Sequence, residues 1–157
     1  MTKPIRQENF TNNLFAVFEE TFEKHHGVYL DNGTSLFETL DTVTSEEASR
    51  PVSAKCASLA AQVTHVIFYM EVLEKAMQHQ EIGKVNWNDI WQRVEAVTSG
   101  EWTTLKQQLK QTYQRISTYV HAIDDWDDED SIGGIVAIVV HTAYHLGEIR
   151  QALCTLK

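Results

Sequence analysis

Phe10, Leu14, Val17, Phe18 and Phe22 recur at steps of three and four, which predicts an amphipathic helix over about residues 8–26. Leu59, Val63, Val66, Met70, Leu73 and Met77 repeat the pattern and predict a second long helix over about 54–80, with Ser53 as its cap behind Pro51. A third, over about 101–123, follows from Trp102, Leu105, Leu109, Thr112, Ile116 and Tyr119. The fourth, over about 132–156, begins behind the acidic run DDWDDEDS, whose charges favour a helix N-terminus through the macrodipole. Its first half is apolar on nearly all sides, the mark of a helix buried among several neighbours.

Between the first two long helices, Asp31, Asn32 and Gly33 mark a turn. Ser35 and Glu38 have the spacing of a capping box and predict a short helix over about 35–41, whereas TSEEASRPVSAK reads as a connection. The stretch HQEIGKVNWNDIWQRVEAVTSG is too long for a hairpin between antiparallel helices. It predicts a crossover at one end of a bundle, with a small helix over about 88–97. Trp87, Trp91 and Trp102 read as packing this crossover onto the bundle, with a substrate cage as the alternative. The architecture expected is therefore all-α: a single domain over 1–157, folded as a four-helix bundle with one long crossover between helices two and three.

Composition agrees with that class. Two prolines and seven glycines in 157 residues, against 43% hydrophobic residues, leave few of the turn signals that a sandwich or barrel needs. A formal charge of −9 opposes binding to a phosphate backbone, so no nucleic-acid partner is expected. The N-terminus lacks an apolar signal core, and the run IGGIVAIVV is about half a membrane span long before His141 interrupts it. The expectation is a cytoplasmic protein with no membrane partner. Cys56 and Cys154 form no CxxC motif and read as buried free thiols.

The candidate chemistry lies in three histidines. His141 and His145 are four residues apart, a step that brings two side chains to one helix face with Cβ atoms about 5–6 Å apart. His65 lies near the middle of the second long helix and would supply a third imidazole. Any one of them alone reads as a hydrogen-bonded core residue; the HxxxH pair with a third mid-helix histidine shifts the reading to a divalent metal with coordination positions left open. His25, His26, His79 and His121 fall at helix ends and read as exposed.

Rival metal sites fail on spacing. A di-iron bundle needs two Glu-x-x-His motifs and the chain has one, Glu23 to His26; a zincin needs HExxH and the chain has HTAYH. Haem held by two histidines stays open, since a missing CxxCH excludes only covalent attachment. Glu148, one turn beyond His145, is a candidate acceptor for an imidazole N–H, a solvated charge, or a general base. No nucleophile elbow is present.

The segments SLFETL, SEEASRPV, SLAAQVTHVIFYMEVL, NWNDIW…SGEW and HTAYHLGEIRQAL together resemble the DinB/YfiT-like superfamily of metal-dependent enzymes over nearly the whole chain. The resemblance implies His65, His141 and His145 as metal ligands. It also implies a four-helix bundle with a crossover, often dimeric, and a divalent ion: zinc or nickel foremost, with iron or manganese as alternatives. Some relatives in that superfamily transfer or isomerise with low-molecular-weight thiols.

The function expected is a metal-dependent enzyme that activates water or a low-molecular-weight thiol toward a small-molecule substrate, a thiol S-transferase or a hydrolase. The alternative is a non-catalytic metal-binding or stress-associated dimeric bundle. A homodimer is expected on the resemblance and on the apolar surface around Ile135, Val136, Val139 and Val140. The crossover or the segment near Trp87 and Trp91 would be the other covers for it.

Overall fold

The computed structural model describes residues 3–157, in which seven helices and no strand are present. Four are long: α1 (Gln7–Phe22), α4 (Leu59–Met77), α6 (Ser99–His121) and α7 (Glu129–Leu156). Three are short: α2 (Leu36–Asp41), α3 (Ser45–Ser49) and α5 (Trp87–Ile90). The all-helical class and the four long elements are as expected; several boundaries differ, each for a local reason.

Helix α1 stops at Phe22, four residues short of the expected His26, because the chain turns back at Gly27 (φ 78°) over the Glu20 side chain. Glu20 is fully buried and accepts the backbone N–H groups of His26, Val28, Tyr29 and Leu30 at 2.7–3.2 Å. Burial by itself raises the pKa of such a carboxyl; the four N–H donors outweigh it and hold the group at about 2. The Ser35–Glu38 capping box forms as expected at α2. The segment expected as a plain connection contains α3, fixed by a second capping box in which Thr44 Oγ1 accepts the Glu47 N–H and Glu47 Oε2 accepts the Thr44 N–H.

Helix α4 begins at Leu59, five residues later than expected. Ser58, not Ser53, is its N-cap, accepting the Ala61 N–H at 3.1 Å, while Ser53 Oγ is used inside the preceding turn by the Lys55 N–H. The connection from α4 to α6 carries only the single helical turn α5, anchored by fully buried Ile90. The helix expected as far as Val97 does not form. Val97 is tied to Ser49 by its N–H at 2.9 Å and its C=O at 3.1 Å, and Thr98 opens a capping box with Glu101.

Helix α4 is the central element, packed on α7 and α6, and α1 also packs on α7. Phe18, Phe22, Met70, Met77, Leu109, Ile116, Ile135 and Ile138 are fully buried. Each contributes about 1.5–3 kcal/mol on removal from water. Gly134 sets the closest approach of α7 to α4: a Cβ there would overlap Met77 Cγ and lie 2.8 Å from its Sδ.

The expectation that the first half of α7 is buried among several neighbours is met on only part of its surface within this chain. Ile135 and Val139 are buried, but Val136 and Val140 are 40% and 63% exposed, because α4 and α1 cover only one side of the helix. The connection near Trp87 and Trp91 packs on α4 instead, through Phe68, Tyr69 and His65. By length and mean hydropathy α7 matches a membrane span; ten of its 28 residues are buried in the protein. Both cysteines are free, as expected, but neither is buried. Cys56 lies in the turn ahead of the late-starting α4, and Cys154 is on the outer face of α7.

Candidate metal centre

The contact of α4 with α7 brings His65 to His141 and His145. His65 is 8% and His145 4% exposed, and His141 is half-buried. One ligand nitrogen from each falls within 4.8 Å of the others, and His65 Nε2 is 3.0 Å from His141 Nε2. Two nitrogens of a tetrahedral ion with bonds of about 2.0–2.1 Å lie roughly 3.3 Å apart, so the pair is spaced as two ligands of one ion would be.

The Nδ1 atoms of all three rings are buried with no hydrogen-bond partner; in His65 and His141 these are the ring nitrogens other than the facing Nε2 pair. His145 Nδ1 is 3.0 Å from Glu148 Oε2 without the alignment of a hydrogen bond. The donor set fits a divalent cation on one further ground. All three rings are held neutral, the state that coordinates. Burial, followed by the neighbouring imidazoles, lowers the pKa of His65 to about 4 and of His141 to about 3. Burial lowers that of His145 against the opposing pull of Glu148.

Aromatic rings wall the cluster. Trp91 stacks on His65 (centroids 4.1 Å apart, 19° between planes) and Tyr69 on His141 (3.6 Å, 12°). Trp91 thus packs the connection onto α4, as expected, and also lines a cavity of about 790 Å³ beside the cluster. His145, Glu148, Gln62, Lys55 and Cys56 face the same cavity.

The remaining histidines are exposed, as expected, and apart from the cluster. His25 Nδ1 is 2.6 Å from the Leu30 carbonyl, and His121 stacks on Phe15. His79 lies 3.5 Å from Asp128 and 3.4 Å from Asp130, an exposed group beyond the end of α4. Gln62 and Tyr69 also belong to the site, although no motif marks them. Both are legible in retrospect, since they stand three residues before and four after His65 on one helix face.

The lowered pKa values give the metal-free protein a definite pH response. Free imidazoles of the unfolded chain take up protons below about 6.5, whereas those of the folded chain resist down to about 4 and about 3. The unfolded state therefore binds more protons in that window, and stability is lost as pH falls through it. The urea midpoint of metal-free protein is expected to fall steadily from about pH 6.5 to about pH 4. A flat profile there would contradict the buried, neutral cluster. No family model, curated protein or solved structure matches the chain.

Proposed function

We propose that the protein is a metal-dependent enzyme built on a four-helix bundle of α1, α4, α6 and α7, with the α4–α6 connection as its crossover. In this reading His65, His141 and His145 hold one divalent ion, zinc or nickel in preference to iron or manganese. The observation that carries it is the convergence of three neutral imidazoles beside a cavity of about 790 Å³. The resemblance to the DinB/YfiT-like superfamily supports the same three ligands.

A divalent ion in that position supplies Lewis acidity, lowering the pKa of a water or thiol brought to it. The chain supplies the rest. Glu148, 3.0 Å from His145 Nδ1, orients that imidazole, which favours a positioning role over that of a general base. Trp91 and Tyr69 clamp the other two rings and keep water from their faces. The cavity admits a small molecule, and a low-molecular-weight thiol attacking an electrophile is preferred to hydrolysis on the strength of the resemblance alone.

The test is a panel of thiols and electrophiles with metal-loaded protein, each reaction repeated after chelation. Thioether formation that stops on chelation and returns with the metal is expected; product formed equally without metal would overturn the reading. A second reading is a dimeric metal-binding module without turnover; the exposed stripe of Val136 and Val140 beside Phe10 and Val17 supports its dimer. A homodimer is compatible with both readings. Light scattering showing twice the chain mass across a wide dilution range supports it, and the mass of one chain throughout would rule it out.

A further inference from the structure

We propose that the cavity beside His145 is a subsite for a small amino-acid-like molecule, its carboxylate held by Lys55 and its adjacent N–H donated to Gln62. The proposal deepens the reading of the histidine cluster as a reaction centre and rests on it for the role of the ligand's far end. The binding of the carboxylate itself does not depend on a metal.

Lys55 is the first observation. It is exposed, has no ion pair among the described residues and lines the cavity. Glu148 is the other formal charge in that lining; it contacts the neutral His145 ring and forms no ion pair with Lys55. Lys55 is thus the cation that the lining offers to an acid. It stands at the start of a 19-residue helix, since residues 55–57 lead directly into the Ser58 cap of α4, and that helix end adds its own positive potential.

Gln62 is the second observation, and it is independent of charge. Its side chain is 8% exposed and lines the cavity, and its Oε1 is buried without a hydrogen-bond partner. An amide acceptor in that state favours a donor, and a turn of the amide about its last bond would present the oxygen to a ligand in the cavity. Gln62 lies one turn before His65 on α4, so a molecule that reaches it is directed along the helix toward the cluster. A carboxylate with a neighbouring N–H, as in an N-acylated amino acid, satisfies both groups together. The cavity volume is within the range that holds such ligands.

The test is a chemical-shift titration of metal-free protein with three probes of similar size: N-acetylnorleucine, heptanoate, which lacks the N–H, and N-hexylacetamide, which lacks the acid. N-acetylnorleucine is expected to bind tightest and to move the backbone amides of Lys55, Gln62 and Gln151. Lys55→Gln is expected to weaken both acids about fivefold, and Lys55→Arg to restore them. Gln62→Leu is expected to weaken N-acetylnorleucine about fivefold and to leave heptanoate unchanged. Equal binding of N-hexylacetamide, indifference to Lys55→Gln, or shifts confined to another face would overturn the proposal. Metal content measured on the same variants separates the two ideas: loss of acid binding with the metal retained defeats only the subsite. Acid binding in a protein that takes up no metal defeats only the metal centre.

Discussion

Alanine in place of any one of His65, His141 or His145 is expected to weaken metal binding by at least about 100-fold. Removing a ligand costs more than removing an outer-shell partner, for which 10–100-fold losses are usual. The three side chains come from two helices and converge within 4.8 Å, so no two of them re-create the set when the third is gone. His79→Ala is the matched control: it removes an exposed imidazole that sits instead beside Asp128 and Asp130. Competition with a chromogenic chelator measures all four affinities, and circular dichroism establishes that each variant is folded. Wild-type affinity in any of the three ligand variants, or a comparable loss in His79→Ala, would remove the assignment.

Glu20→Gln is expected to destabilise the fold by about 3 kcal/mol, the largest effect anticipated for a residue outside the metal centre. The carboxylate satisfies four backbone N–H groups of the segment between α1 and α2, and a glutamine would turn an NH₂ toward part of that array. The same bond set makes a pH signature. With the pKa held at about 2 in the folded chain against 4.5 for an ordinary glutamate, the stabilisation is present above about pH 4.5 and is lost as pH falls toward 2. Urea unfolding of both proteins at pH 7 and at pH 3 measures it, with the difference between them smaller at pH 3. A variant within about 1 kcal/mol of wild type at pH 7 would show that the loop satisfies its donors otherwise.

Those two sites differ in how far the sequence discloses them. The HxxxH step in α7 and the mid-helix His65 are visible because helical periodicity converts spacing into direction. The contact of α4 with α7 then follows from their apolar faces. Glu20 is invisible by the same logic: on a helical wheel it lies away from Phe18 and Phe22, and only the return of residues 26–30 over it makes it interior. Helix starts divide in the same way. Ser35–Glu38 announced α2, and Thr44–Glu47 carries the identical signature for α3, but nothing in the order Pro51, Ser53, Ser58 tells which serine caps α4. That choice matters, because it leaves Lys55 and Cys56 in a turn at the cavity instead of on a helix. Trp91 belongs to the same class, since its place against His65 depends on how the long connection folds back.

X-ray absorption of untagged protein shows whether one divalent ion is held by three imidazoles. One ion per chain is expected, with a first shell of nitrogen at about 2.0–2.1 Å and the outer scattering of three imidazole rings. A chain that takes up no ion when zinc and nickel are supplied, or an ion bound through sulfur or carboxylate oxygen with fewer than two imidazoles, would contradict it.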